Sequence, residues 1–435
     1  MFQKVTKFIT GAEPNINIEG LNSRFKQLCV FDSNDTSNDK KHLYSSKIIA
    51  IDSSEEFTIT DAENGLEQLQ KFYNTRKGWL FGYLTYDLKN EIEHLNSKND
   101  DGLKFPMLHF FSPKIVIQII NSTATLFYDD ECVSLDQANE IYELCFTPVK
   151  EELKNSSPVN IQSKITKQEY IAAVNSLKQH IRKGDIYEVN FCQEFFAKNA
   201  AINPVSIYKK LNDISKAPFS SFSKFGEHFL LCASPERFLQ KQGNKLISQP
   251  IKGTAKRSEN SMEDEQLKTD LQNNLKEKSE NVMIVDIVRN DLSHIAKRGT
   301  VKVEELQKIY SFKQVHQMIS TISCELKSTI SFTDILRSTF PMGSMTGAPK
   351  ISAMKLIEEF ESTKRGIYSG AVGYISPGGD FDFNVVIRSI LYNSGNNYLS
   401  FMVGSAITDK ANAEQEYEEC LLKAKAMFEV LSTNY

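Results

Sequence analysis

Strand-like and helix-like stretches come in blocks along this chain, not in strict alternation, and that order constrains the fold most. Strict strand–helix–strand repetition would build a parallel sheet with crossover helices. Grouped strands favour antiparallel sheet with helices segregated onto its faces, an α+β architecture. Residues 1 to 147 read as short strands and turns with some helix, and Gly78 to Leu88 (GWLFGYLTYDL) is aromatic-rich and strand-like. A polar, proline-bounded stretch from Thr147 to Pro158 is the best linker candidate. It divides the chain into regions 1–155 and 160–435.

The second region opens with a helix. Thr166 and Glu169 have capping-box spacing, Tyr170, Val174, Leu177 and Ile181 follow at helical intervals, and Gly184-Asp185 ends the run. Tyr187 to Phe195 and Phe229 to Leu239 read as strands. The charged segment Lys256 to Glu280 reads as a loop with a solvated helix, and Asn281 to Val288 as a buried helix. A glycine-rich turn (Gly343 to Gly347) precedes a helix from Pro349 to about Glu361. Strands are expected around Ala371 to Ile375 and Asn384 to Ile390, then a last amphipathic helix from about Glu414 to Leu431.

Charge and composition exclude several functions. Lys plus Arg number 51 against 55 Asp plus Glu, a net charge of −4, which argues against nucleic acid as the main partner. No apolar run approaches the about 18 residues of a membrane span. The amino terminus lacks the apolar stretch of a signal peptide, so a cytoplasmic location is expected. The seven cysteines are odd in number and form no CxxC, which disfavours a disulfide framework or a zinc finger. A bound metal would then be held by carboxylates, pointing to magnesium.

Four features in the second region carry chemistry. Lys252, in PIKGT, is a nucleophile only when neutral; the plain alternative is a turn lysine in water. Glu236, in SPERF, ends an apolar strand and becomes a general acid if burial raises its pKa; the alternative is an ion pair with Arg237 or another base. Glu280 precedes an apolar helix, while Glu416 and Glu419 are three apart on the last helix. Together they suit an oxygen-liganded Mg²⁺, against the alternative of a solvated face with a Glu419–Lys423 pair. Gly343 to Lys350 (GSMTGAPK) offers free amides at a helix start, an anion site or an ordinary turn. A small substrate bearing carboxylates suits this set.

The strings SPERFL, PIKGT, ENVMIVDIVRNDL, GSMTGAPK, GYIS with the later VVIRS, and AEQEYEECLLKAKA occur in the order found in chorismate-utilising enzymes. The chain resembles that family from at least Thr166 to Leu431, and GYLTYDL extends the likeness into the first half. The resemblance implies antiparallel sheets flanked by helices. Lys252 resembles the branch that makes 4-amino-4-deoxychorismate for para-aminobenzoate and folate, whereas anthranilate-forming members carry PIAGT. Isochorismate- and salicylate-forming members place a water-activating lysine where this chain has Glu188.

The resemblance further implies a division of roles. Mg²⁺ on Glu280 and Glu419, with Glu416 nearby, would hold the ring carboxylate. Arg388 and Tyr374 would grip the enolpyruvyl carboxylate. Amides near Thr346, Gly347, Ala348 and Gly404 would complete the cradle, with Lys423 and Lys350 adding positive charge. Glu236 would protonate the leaving C4 hydroxyl and Lys252 would attack C2. The chain carries no glutaminase signature, so a separate glutamine amidotransferase subunit is the expected ammonia source, in a heterodimer. Three positions depart from the pattern: Gln317 with His316 beside it, Val403-Gly404-Ser405 in place of GGG, and Glu188 where aminating relatives commonly have glutamine. Gln317 and Val403-Gly404-Ser405 motivate one rival, a non-catalytic chorismate-binding subunit; the other rival is an anthranilate-forming subunit, against which Lys252 argues.

Overall fold

The structure, a computed structural model, describes residues 2–8, 15–34, 47–60, 64–76, 78–120, 123–148 and 159–431. Among the described residues twenty strands join in one network, and every ladder in it is antiparallel. Its seam is the ladder between Lys47–Ile59 and Leu108–Ile120. One arm continues through Gln27–Asp32, Phe219–Phe225, His228–Ser234, Ser389–Asn393 and Tyr398–Ile407 to Glu188–Ala197. The other continues through Leu80–Leu84, Ala371–Ile375, Phe381–Val385, Arg237–Gln242 and Lys245–Gln249 to Val315–Glu325, which also pairs with Ile251–Lys256 and Lys302–Ser311.

The arms fold face to face, as aromatic contacts between them require. The Tyr83 and Phe225 rings lie 4.8 Å apart, and Phe31 and Tyr374 6.1 Å apart. Helices Lys167–Lys183, Pro204–Ser215, Lys350–Phe360 and Ala413–Val430 bury their apolar stripes with the first arm in one core cluster. Helices Leu275–Ile295 and Phe332–Thr339 pack with the second arm in another. Residues of the 1–155 and 160–435 regions alternate within both arms, since Gln27–Asp32 pairs with Phe219–Phe225 and Leu80–Leu84 with Ala371–Ile375. The linker candidate falls largely outside the described residues, which resume at 159.

Most of the second-region expectations reappear as elements. The Thr166–Glu169 capping box is formed, and Gly184 closes that helix with φ +88°, where a side chain would be strained. Three expectations differ. Phe229 to Leu239 is two strands, because Pro235 lacks the ladder N–H and the chain turns around Glu236. Asn384 to Ile390 is also two strands, broken where Arg388 takes φ +53°. The charged segment holds the expected solvated helix, Ser261–Asn273, but less loop than expected, because a second helix, Leu275–Ile295, follows at once, and the Asn274 side chain caps it by accepting from the Lys276 and Glu277 amides. Among the described residues no helix is long and apolar enough to cross a membrane.

Candidate active site

Lys252 sits where the strand Ile251–Lys256 leaves its ladder, since the register with Val315–Glu325 slips between Ile251 and Thr254. Gly253 takes φ +94° there, so the two residues point away from regular pairing. The Lys252 ammonium lies 2.7 Å from Glu188 Oε1, on the strand Glu188–Ala197; their side chains are 11% and 2% exposed, so water scarcely screens the pair. Burial alone would lower the lysine pKa. Glu188, Glu280 and Glu236 outweigh it and hold the amine above its ordinary value, hence cationic at rest.

Glu236 occupies the break after Pro235. Its carboxyl is buried, and Oε1 accepts a 2.6 Å hydrogen bond from Ser344 Oγ in the turn Gly343–Met345. Burial pushes the Glu236 pKa up to about 7, against the opposing pull of Ser344, Lys252 and the Ile251 amide. A carboxyl so tuned holds a proton near neutral pH and can give it up.

Two of the three metal candidates, Glu416 and Glu280, flank an ammonium. Lys276 Nζ lies 3.1 Å from Glu416 Oε1 and 3.8 Å from Glu280 Oε1, and Glu419 also acts on it electrostatically. Burial pushes the Glu280 carboxyl up to about 7, and among the described residues its buried Oε1 has no hydrogen-bond partner. Burial works against the charge of Glu419 too, but Lys423 at 2.6 Å holds that carboxyl below its usual value. Among the described residues no three His, Cys, Asp or Glu side chains converge as a ready-made metal cage.

The turn expected to cradle a carboxylate is shaped by its backbone. Gly347 pairs with Val189 and Ala348 with Glu188, which carries the turn to the strand bearing the lysine's partner. A Cβ at Gly347 would strike the Glu188 carbonyl, and one at Gly404 would strike Cys192 Sγ, so both positions require glycine. Lys423 donates to the Gly404 carbonyl at 2.9 Å. The Thr346 hydroxyl is fully buried and donates within its own turn, to the Met342 or Gly343 carbonyl, so it positions the turn and is not available to a ligand.

Tyr374 is a correction. Its ring stands between the arms with Phe31, Trp79 and Phe81, lining a separate cavity of about 60 Å³ with Phe219 and Asn384. The electrostatic neighbours of Arg388 are Tyr368 and Glu419. The tyrosine whose charge acts on the guanidinium is thus Tyr368, six residues earlier in GIYSGAVGYIS. Lys350 is bound to Asp291 at 2.6 Å, and Asp291 lines a cavity together with Glu236 and Ser344. His316 is buried between Ser311 and Asp264, fastening the helix Ser261–Asn273 to its strand, and Gln317 keeps an unpartnered buried Oε1.

The structure adds Ser344, Tyr368 and Lys276 to the candidate set, and it places Glu188, noted above only as a departure, against Lys252. Ser344 lies inside the quoted GSMTGAPK string, and its contact with Glu236 spans 108 residues of sequence. Lys276 precedes Glu280 by one helical turn, a spacing that does signal proximity. The site thus gathers an amine, a proton-holding acid, an acidic cluster around a cation, and a guanidinium with a phenol.

Comparison with known proteins places this arrangement. The chorismate binding enzyme family model matches residues 26–429. Aminodeoxychorismate synthase component 1 of Bacillus subtilis (strain 168) is 30% identical over 361 residues, covering 81% of this chain and 76% of that protein. Anthranilate synthase component 1 of Aquifex aeolicus (strain VF5) is 30% identical over 380 residues, covering 84% and 76%. A probable chloroplastic aminodeoxychorismate synthase of Oryza sativa subsp. japonica is 39% identical over 390 residues, 81% of this chain and 43% of that protein. The crystal structure of anthranilate synthase component I from Streptococcus pneumoniae TIGR4 superimposes with a TM-score of 0.78 at 25% identity, covering 96% of this chain and all of that one. With its fold, its site strings and nearly its whole length matched, the chain belongs to the chorismate binding enzyme family.

Proposed function

We propose that this chain is component I of an aminodeoxychorismate synthase, converting chorismate and ammonia to 4-amino-4-deoxychorismate in the cytoplasm, on the route to para-aminobenzoate and folate. The observation that carries the reading is the buried Lys252 amine, lying in the field of Glu188, Glu236 and Glu280. An anthranilate-forming member needs no nucleophile at this position. Ammonia would be delivered by a glutamine amidotransferase subunit, as the designation "component 1" of several relatives suggests.

Arg388 with Tyr368 would grip the enolpyruvyl carboxylate, a task suited to a guanidinium. Glu280, Glu419 and Glu416 would hold Mg²⁺. The donor set is all oxygen, Glu280 Oε1 has no hydrogen-bond partner, and Mg²⁺ needs only one or two protein carboxylates when water and substrate complete its shell. Bound there, the ion would neutralise the substrate's ring carboxylate. Lys276 already holds a positive charge among these carboxylates and would have to give way.

In the first step the neutral Lys252 amine attacks ring C2, both conjugated ring double bonds shift (C1=C2 to C1=C6 and C5=C6 to C4=C5), and the C4–O bond breaks. Glu236 gives its proton to the departing oxygen, which leaves as water. In the second step ammonia attacks C4, both double bonds shift back and the C2–N bond breaks, freeing the Lys252 amine. Glu236 then takes a proton from the new C4 ammonium. One difficult exchange becomes two allylic displacements.

Intact-protein mass spectrometry after a short incubation with chorismate and Mg²⁺, without ammonia, tests the reading. A covalent adduct localised to Lys252, absent from Lys252→Ala, is expected; no adduct, together with full turnover in Lys252→Ala, would overturn it.

A further inference from the structure

The attacking amine must lose a proton before it can act, and Lys252 is cationic at rest. We propose that Glu188 is the catalytic base that takes this proton, holding it while the amine is bonded to the ring and returning it when the amine is released. The inference rests on the functional reading above and adds a residue to it, at the position where aminating relatives commonly carry a glutamine.

The geometry is direct. Lys252 Nζ donates to Glu188 Oε1 at 2.7 Å, a distance at which a proton passes without rearrangement. Glu188 Oε2 is buried and, among the described residues, has no hydrogen-bond partner, so it is not tied to another group. Its place is rigid: it opens the strand Glu188–Ala197 and pairs through its backbone with Ala348 of the cradle turn. The other groups facing the amine are worse acceptors. Glu236 must already hold the proton destined for the leaving oxygen, and Glu280 is assigned to the metal.

Transfer also removes a conflict. An anionic Glu188 beside a substrate with two carboxylates is unfavourable, and a buried ion pair away from water is costly. Moving one proton by one hydrogen bond makes the amine nucleophilic and the carboxyl neutral together, with no change in the pair's net charge. The proton balance closes: Glu188 gains the proton lost by the Lys252 ammonium, Glu236 cycles its own through water release and product deprotonation, and Glu188 returns its proton to the freed amine.

The test is Glu188→Gln in the full chain, which keeps the shape and the hydrogen bond but removes the basicity. The assay supplies chorismate, Mg²⁺ and ammonia. The expected result is a kcat lower by roughly tenfold to a hundredfold, an equally slowed Lys252 adduct in rapid-quench mass spectrometry, and a KM for chorismate unchanged or lower. Glu188→Asp, a shorter carboxylate, should recover part of the rate and serves as the second variant if the glutamine variant does not fold. A Glu188→Gln enzyme with kcat within about twofold of the parent, or one that loses only KM, would overturn the proposal while leaving the synthase reading intact. A parent enzyme that forms no 4-amino-4-deoxychorismate would instead defeat the synthase reading, and the base role with it.

Discussion

Ser344 Oγ donates a 2.6 Å hydrogen bond to Glu236 Oε1, joining the turn Gly343–Met345 to the break between two strands of the second region. Burial raises this carboxyl from 4.5 to about 7, against the pull of that hydrogen bond. Between those two values the folded protein keeps a proton that the unfolded chain has released. Stability therefore falls as pH climbs through this window and stays lowered above it. Glu236→Gln, neutral at every pH, should be more stable than the parent at pH 8 by roughly 3 kcal/mol and nearly equal at pH 4. Urea denaturation at the two pH values measures this; an equal difference at both would mean that the carboxyl is not raised. The same variant should lose nearly all turnover, because an amide cannot protonate the leaving hydroxyl.

Tyr368 and Tyr374 are separated by the structure and so can be separated by experiment. Tyr368 neighbours Arg388, whereas Tyr374 stands among Phe31, Trp79 and Phe81. Tyr368→Phe should raise KM for chorismate by about tenfold, the worth of one hydrogen bond to a charged group. Tyr374→Phe should leave KM within about twofold. Steady-state kinetics on both variants decides, and the reverse pattern would return the substrate role to Tyr374.

Lys276 lies among the carboxylates assigned to magnesium. Glu280→Ala should abolish Mg²⁺-dependent chorismate binding in calorimetry. Lys276→Met, which removes the competing charge at similar length, should bind Mg²⁺ several-fold tighter in the absence of substrate. Equal Mg²⁺ affinity in the parent and Glu280→Ala would remove that carboxylate from the metal site.

Arg365 and Glu361 form a buried pair at 2.6 Å, one helical turn apart in sequence. Arg365 also donates to the carbonyls of Met345 and Asn190, while Glu361 accepts from the Cys192 amide, so the pair ties the cradle turn to the strand that begins with Glu188. Glu361→Ala leaves an uncompensated buried guanidinium and should cost about 3–5 kcal/mol. A loss below about 1 kcal/mol in denaturant titration would mean that Arg365 finds water.

What the sequence makes legible is local. The Thr166–Glu169 capping box, the Gly184 stop and the amphipathic last helix are each set within a few residues, and each forms. The charged segment misled because charge was weighed above caps: Asn260 and Asn274 each start a helix. The site itself is long-range. Lys252 meets Glu188 across 64 residues and Ser344 meets Glu236 across 108, separations that no periodicity reports. The family strings supplied those residues, but strings do not say which of two nearby tyrosines turns inward. That choice depends on the strand Ala371–Ile375, whose pairing with Leu80–Leu84 carries Tyr374 to the aromatic cluster between the arms.

Product identification by liquid chromatography–mass spectrometry tests the central claim most directly. The purified chain is incubated with chorismate, Mg²⁺ and ammonia at mildly alkaline pH, with no partner added. Accumulation of 4-amino-4-deoxychorismate is the expected result. Anthranilate as the product, or chorismate recovered intact, would contradict it.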